Sequence, residues 1–444
     1  MIYDFVEINK DTNEPMYEQL YFQLKNGIEN KLISKDEKLP SIRKAATELK
    51  VSRTTIENAY FRLCSEGYIE NKPQKGYFVK TPPKENLSKE LMKKTDVVKY
   101  DHDLSSGKID ASAADIPVWR KFVRSALNNE KDIVSYGEPQ GEPCLRKAIA
   151  SYIYTARGVI SSPENIVVGA GIQQLITILC CIKKKCTVAI EFPGFKQAEK
   201  VFKDFGFDVV IIDSSKTPEK ALEDAGADIY FNIPSQKPKT SATTLHSHRE
   251  SMLSWLNSSD EHYIIEDDFN GELKFSARPF PAMQNMCMEK IIYMGSFSKL
   301  LIPSVRISYA VFPESILKKY KEMASFYNQT ASKIEQIALA RYINEGYLEK
   351  HLRRLKKLYS KKSKDLLREV NRAFPQGHAK VLESSLSIIF DSCSDLSDEE
   401  ISERTKRYKV KIQSVNDGII NLSFAGIAVE DMEDAVNKIK ESLI

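Results

Sequence analysis

No apolar run in this chain of 444 residues approaches the roughly 18 residues that a membrane-spanning helix needs. Its first stretch, "MIYDFVEINKDTNEP", is too acidic and polar for a secretory signal, so the chain is expected in the cytoplasm, away from any membrane. Cysteine is scarce: seven residues, an odd number without a CxxC, do not make a disulfide framework or a zinc site. Among six histidines, His246 and His248 form one close pair, but their i, i+2 spacing does not share a helix face, and no metal is expected. The net charge of +4 is too even to announce a nucleic acid partner by itself, and no internal repeat is visible. What remains, at 42% hydrophobic and 28% charged, is a soluble globular composition in a chain too long for one core.

Residues 1–80 read as a compact unit. Tyr17, Leu20, Tyr21, Leu24 and Ile28 recur at helical spacing. "LPSIRKAATELK" and "VSRTTIENAYFRLCSEG" predict two more helices, with Pro40 placed to open the first, Ser52 to cap the second and Gly67 to end it. "YIENKPQKGYFV" then alternates and turns around Pro73 to Gly76, as a short hairpin does. Three helices and a hairpin make a winged helix-turn-helix. Local charge agrees: from Lys38 to Lys80 there are nine Lys and Arg against four Asp and Glu. The second helix of such a motif enters the major groove N-terminus first, which presents Ser52, Arg53, Thr54 and Thr55 to base edges. Arg43 and the wing residue Lys75 would reach phosphates or the minor groove of a double-stranded DNA operator.

Residues 81–103, with a Pro-Pro and many charges, have linker composition. Residues 104–444 follow. From about 140 to 313, Val- and Ile-rich runs alternate with helical patterns, which predicts an α/β fold with a mostly parallel sheet buried on both faces. From about 314 to 444, long helical segments and two further apolar runs suggest a smaller α+β part.

Ligands of an open α/β sheet sit at the carboxyl ends of its strands, so the residues after each apolar run are the informative ones. "NIVVGAG" leads into a helix N-terminus that can hold a phosphate, and "EFPGF" brings Phe195, a ring able to stack on a flat ligand. Then come Asp267 and Asp268, next Ser296, Ser298 and Lys299, and finally Arg306. A phosphate cradle, an aromatic plate, a carboxylate, a lysine and an arginine on one rim are what pyridoxal 5'-phosphate requires. The lysine condenses with its aldehyde, the carboxylate keeps the pyridine nitrogen protonated, and arginine with serine hydroxyls grips the phosphate.

In these blocks the chain resembles the MocR or GabR type of GntR-family transcriptional regulator, a winged helix-turn-helix joined to a fold-type I aminotransferase-like domain. "LPSIRKAATELKVSRTTIENAYFRLCSEGYIENKPQKGYFV" is similar to the DNA-binding segment. "YGEPQGEPCLRKAIASYI", "GAGIQQL", "EFPGF", "IIEDDF" and "GSFSKLLIPSVRISY" match the second domain in order. The resemblance implies that Lys299 carries the cofactor, that Asp267 faces its pyridine nitrogen, and that Arg306 and Ser296 hold its phosphate. It sets Ile172 and Gln173 at the helix N-terminus under the phosphate, with Phe195 as the stacking ring. Tyr136 resembles a tyrosine that reaches the neighbouring subunit's cofactor, which implies a head-to-tail, domain-swapped homodimer.

Three departures bear on function. The family tyrosine after "EDD" is Phe269, a glycine position is Ser241 in "PSQKPKTSA", and a C-terminal arginine that grips an amino acid carboxylate is Asn421 in "NLSF". Losing that arginine argues against efficient transamination of ordinary amino acids. The expected function is a PLP-binding regulator that senses a small molecule: an amine, an amino acid derivative or PLP itself. The alternatives are an active PLP-dependent aminotransferase with a DNA-binding arm, and a regulator that keeps the fold only to dimerise. The run from Lys350 to Lys364, eight basic residues and no acid, reads as the solvated face of a long helix, with DNA contact as the sharper alternative. Trp119 reads as a packing anchor, and Gln197 as a further pocket candidate.

Overall fold

The computed structural model describes residues 3, 5–9, 14–80, 99–105, 107–110, 112–128, 133–191, 195–212, 217–234, 242–276, 280–383 and 385–444, the side chains of 242–245 excepted. The chain divides into two compact units, Met1–Val98 and Lys99–Ile444.

In the first unit, helix α1 (Met16–Glu29) buries Leu20, Tyr21, Leu24 and Ile28 along one stripe. That stripe meets Ile56, Ala59, Tyr60 and Leu63 of α3 (Arg53–Ser65), each buried Leu or Ile contributing about 1.5–3 kcal/mol. Between them lies α2 (Ile42–Glu48), whose N-cap is Ser41, one residue past the expected Pro40; its hydroxyl accepts from the Lys44 N–H. Ser52 caps α3 by accepting from the Thr55 N–H, and Gly67, with φ +78°, turns the chain out of it. Strands β1 (Ile69–Lys72) and β2 (Gly76–Val79) then pair antiparallel as the wing.

The second unit is built on a seven-stranded sheet. Its strands are β4 (Ile166–Gly169), β5 (Thr187–Glu191), β6 (Asp208–Ile212), β7 (Ile229–Asn232), β8 (Tyr263–Asp267), β9 (Ile291–Ser296) and β10 (Ser308–Val311), ordered β4-β10-β9-β8-β7-β5-β6. These are the seven apolar runs of the sequence. All neighbours are parallel except β10, which runs antiparallel to both β4 and β9. Alternate side chains of the strands enter different clusters: Val167, Ile190, Phe231, Ile265 and Met294 meet the helix Ile172–Ile182, while Ala189, Tyr230 and Ile264 meet Trp255 and Leu256. Both faces are therefore covered, which is why the strands carry no polar alternation. Register fixes the rim of the site: Ser308 lies opposite Gly169 on one side and Ser296 on the other.

A second sheet, β11 (Lys380–Leu382), β12 (Ser387–Asp391), β14 (Ser414–Asn416) and β15 (Ile419–Ser423), is antiparallel in the order β11-β12-β15-β14. Ile388, Phe390, Ile420 and Leu422 pack it into the same core as Leu366 and Val370 of the helix Tyr347–Ala373. Three sequence expectations are corrected here. Residues 99–103 of the expected linker belong to the second unit, where β3 (His102–Asp103) pairs in parallel with β13 (Val410–Lys411); residues 81–98 lie outside the described residues. The helix Glu314–Ala324, expected in the smaller part, packs Ile316, Leu317 and Tyr320 against the large sheet. Within the basic run, Lys362 is fully buried and paired with Asp110 at 2.5 Å, so it is no part of a solvated face. No described helix is long and apolar enough to cross a membrane.

Candidate cofactor and DNA sites

The carboxyl ends of β4, β8 and β9 open onto a cavity of about 430 Å³ whose wall includes Ile172, Gln173, Phe195, Asp267, Ser296, Lys299 and Arg306. Seven residues selected from sequence, spread over 135 positions from Ile172 to Arg306, thus share one wall. Tyr136 does not join them: it is 89% exposed on the surface of the single chain.

One end of the cavity is built for an anion. Gly171 precedes the helix Ile172–Ile182 with φ +109° and, among the described residues, no side chain caps that helix, so its first N–H groups are open to a ligand. The Arg306 guanidinium lies against Gly171, where a Cβ would collide with it. Arg306 itself holds a left-handed φ of +54° at the end of the turn Pro303–Val305, an uncommon conformation for a non-glycine residue. Serine hydroxyls complete the seat. Ser308 donates to Ser296 at 3.0 Å, Ser296 donates to Ser298 at 3.2 Å, and the Arg306 Nη1 donates to Ser298 at 3.4 Å. Ser298 accepts twice in this chain, which leaves its own proton for a ligand. Sequence reasoning ranked Ser296 first; Ser298, which meets both Ser296 and Arg306, is equally part of the wall.

Lys299 follows directly. Burial pushes its ammonium down from 10.5 to about 8, and its Nζ donates to the Lys108 carbonyl at 3.3 Å. An amine that sheds its proton near neutrality is a competent nucleophile for an aldehyde. Asp267 ends β8 and is 3% exposed, and its Oδ1 has no hydrogen-bond partner among the described residues. Burial, reinforced by the neighbouring Asp268 charge, pushes its carboxyl up to about 7. A protonated pyridine nitrogen would give that orphaned oxygen a partner. Asp268 points elsewhere: it is ion-paired to Arg157 and accepts from the Tyr293 hydroxyl at 2.7 Å, and it is absent from the cavity wall. Glu272 accepts from the Tyr152 hydroxyl at 3.2 Å in the same buried cluster. Of the two adjacent acids, Asp267 is the one on the cavity wall. A phosphate seat, an amine of lowered pKa and an unpaired carboxylate fit pyridoxal 5'-phosphate.

Phe269 lines the cavity with a ring and no hydroxyl, and Gln197 lines it as anticipated. Ser241 lies outside the described residues. Three wall residues had no signal in the local sequence pattern: Gly107, Ser385 and Gln413 come from segments far along the chain that tertiary folding brings in. Trp119 is buried edge-on against Tyr342, with ring centroids 5.9 Å apart, and packs as expected. No group of His, Cys, Asp and Glu among the described residues is placed to hold a metal ion, and all seven cysteines are free.

On the first unit, Arg43, Ser52, Arg53, Thr54 and Lys75 are exposed. Thr55 is not: its hydroxyl is 2.8 Å from that of Ser52 and its side chain is buried, so it braces the helix start and stands apart from the exposed set.

Residues 16–79 match the family of bacterial regulatory proteins described as the gntR family, and residues 101–232 match aminotransferase class I and II. The chain is 32% identical to an uncharacterised HTH-type transcriptional regulator, YdeL, of Bacillus subtilis (strain 168), over 98% of both chains. It is 30% identical to the probable rhizopine catabolism regulatory protein MocR of Rhizobium meliloti, over 80% of this chain and 77% of that one. The fold is similar to that of a kynurenine aminotransferase from Pyrococcus horikoshii, with TM-score 0.67 and 18% identity over 81% of this chain and 93% of that one. The chain belongs to the MocR-type GntR family of transcriptional regulators, DNA-binding proteins whose winged helix-turn-helix is joined to an aminotransferase-like domain that binds pyridoxal 5'-phosphate.

Proposed function

We propose that the cavity is the sensory site of this regulator, and that its occupancy by a small amine, an amino acid derivative or the cofactor itself sets the protein's affinity for its operator. The observation that carries this reading is the pairing of a complete cofactor seat with Asn421 on β15, where the family's carboxylate-gripping arginine would stand. When bound, the cofactor supplies an aldehyde able to react with amines. In this reading Arg306, Ser296, Ser298 and the N-terminus at Ile172 and Gln173 hold the phosphate. Phe195 covers the ring face, Asp267 meets the ring nitrogen, and Lys299 surrenders its position to an incoming amine.

The DNA-binding part would be residues 1–80, with Arg53, Ser52 and Thr54 toward base edges and Arg43 and Lys75 on the backbone. The sensory part would begin near residue 99. A homodimer in the cytoplasm would carry two such heads, and an effector that binds two arrangements of that dimer unequally would shift their spacing. Val134, Tyr136 and Phe326, each more than four-fifths exposed, support a partner surface on the second unit. The Lys333 ammonium donates to Ser135 at 3.0 Å and ties that segment to the helix Lys333–Asn344.

The test is retention of DNA fragments from around the protein's own gene by the cofactor-loaded protein, with and without a panel of amines. One amine is expected to change retention by about 5- to 150-fold, the usual range of allosteric coupling. Lys299→Ala is expected to abolish that response while DNA retention persists. If the loaded and cofactor-free proteins retain DNA identically with every amine, the sensory reading fails. A second reading, an active aminotransferase with a DNA-binding arm, draws on the lowered pKa of Lys299. It would replace the first if turnover reached ordinary enzyme rates of roughly 1–1000 per second.

A further inference from the structure

A second cavity in the second unit, of about 320 Å³, shares no wall residue with the first and is of the scale that takes a small molecule. Tyr152, Thr155 and Ala156 of the helix Pro143–Arg157, spaced i, i+3 and i+4, present one helix face to it. The helix Tyr347–Ala373 presents another, with Leu352 and Lys356 four residues apart, and the turn Gly271–Leu273 adds Glu272.

Two charges on this wall remain unmatched. Glu349 and Arg353, both exposed, pair with each other at 3.5 Å. Glu272 is only 7% exposed; it accepts from the Tyr152 hydroxyl, while the nearby Arg157 is committed to Asp268. Lys356 is half-buried, although Arg353 and Lys357 on the same helix are exposed. Among the described residues neither Glu272 nor Lys356 has an ion-pair partner, and they stand too far apart to pair directly across the cavity that both line.

A carboxylate held away from water beside a second acid is unfavourable until a cation meets it, and burial with the Asp268 charge accordingly pushes the Glu272 carboxyl up. Both oxygens of a carboxylate can accept, so the Tyr152 hydroxyl leaves capacity for a further donor. A ligand that carries one ammonium and one carboxylate answers both unmatched groups. One with a single charge leaves the other group without a counter-charge. Leu352, Ala156 and the Tyr152 ring give the same wall an apolar part.

We propose that this cavity is a second small-molecule site, one that takes a free α-amino acid with an apolar side chain. The ammonium meets Glu272, the carboxylate meets Lys356, and the side chain lies against Leu352 and Ala156. The proposal does not depend on what the cofactor cavity senses.

The experiment titrates leucine calorimetrically into the full-length, cofactor-loaded protein, after borohydride has reduced the bond between Lys299 and the cofactor so that no amine can react there. Leucinamide, which lacks the carboxylate, and 4-methylpentanoate, which lacks the ammonium, are expected to bind about tenfold or more weakly than leucine, the worth of a hydrogen bond to a charged group. Lys356→Ala is expected to weaken leucine about tenfold and leave leucinamide unchanged, and Glu272→Gln to weaken leucine about tenfold and leave 4-methylpentanoate unchanged. Lys357→Ala, one position along and exposed, is expected to change nothing. Should Glu272→Gln fail to fold, the lysine variants and the two analogues decide by themselves. No binding of leucine, equal binding of leucine and both analogues, or leucine binding unaltered in Lys356→Ala overturns the inference; the last result would place the amino acid in the cofactor cavity instead.

Discussion

The Arg306 guanidinium occupies the space that a side chain at Gly171 would need. That contact joins the arginine to the start of the helix Ile172–Ile182, so a bidentate cation and a set of free N–H groups face one volume. Gly171→Ala disturbs both halves, since its φ of +109° is costly for any side chain and the new methyl group displaces the guanidinium. The expected outcome is a cofactor affinity weaker by about tenfold or more, the loss of a charge-assisted contact. Equilibrium dialysis against pyridoxal 5'-phosphate measures it. Affinity unchanged within a factor of two would mean that the phosphate sits elsewhere.

Asp267 is held at a cost that a bound cofactor would offset. Its carboxyl ionises at about 7 in the folded protein against 3.8 ordinarily, because burial disfavours the charge. Between those values the folded state keeps a proton that the unfolded chain has lost. Stability of the cofactor-free protein therefore falls as pH rises from about 4 to about 7, then holds. Asp267→Asn removes that dependence, and at pH 8 the cofactor-free variant is expected to be more stable by on the order of 1–4 kcal/mol. The same variant should bind the cofactor more weakly. Urea unfolding at pH 5 and pH 8 checks the first claim, and a variant that parallels the wild type at both would refute it.

Lys299 supplies the other pH signature. With its ammonium titrating near 8, the neutral amine fraction grows about tenfold per pH unit below that value and levels off above it. The rate at which cofactor-free protein develops visible absorption on mixing with pyridoxal 5'-phosphate should follow the same curve. A rate that continues to climb to pH 10 would place the titrating amine outside the buried pocket.

The uneven legibility of the site has a physical origin. Lys299, Asp267 and Arg306 stand at strand ends, and a buried parallel sheet announces its strands as Val- and Ile-rich runs, so their neighbours could be found by position alone. The choice of Asp267 over Asp268 came from family resemblance; in the structure only packing distinguishes them, since Asp268 is turned into Arg157 and Tyr293. Ser385 and Gln413 carry no such local mark, because they reach the cavity through the pairing of β12, β14 and β15. Residues 99–103 looked like linker because polar sequence hides a two-residue strand whose partner lies some 300 positions away. Local pattern encodes periodicity and caps. It does not encode which distant surface a polar residue will meet.

At the start of α3, neighbouring residues have separable roles. Arg53 is exposed on the first turn, while Thr55 is buried with its hydroxyl on Ser52, whose own oxygen accepts the Thr55 N–H at 3.1 Å. Arg53→Ala should therefore cost DNA affinity without stability. For a base-edge contact the loss is about 1–3 kcal/mol, with relaxed preference at one operator position; for a phosphate contact it is uniform across sequences and lowers the salt slope by about 0.9 per contact removed. Thr55→Val should do the reverse, removing the buried hydroxyl pair and costing about 0.5–1.5 kcal/mol of stability in the first unit, while the exposed surface that meets DNA is unchanged. Retention assays at several salt concentrations, paired with thermal unfolding of each variant, separate the two. If Thr55→Val lost sequence preference at full stability, or Arg53→Ala lost stability with DNA affinity intact, the groove-facing edge of α3 would have to be reassigned.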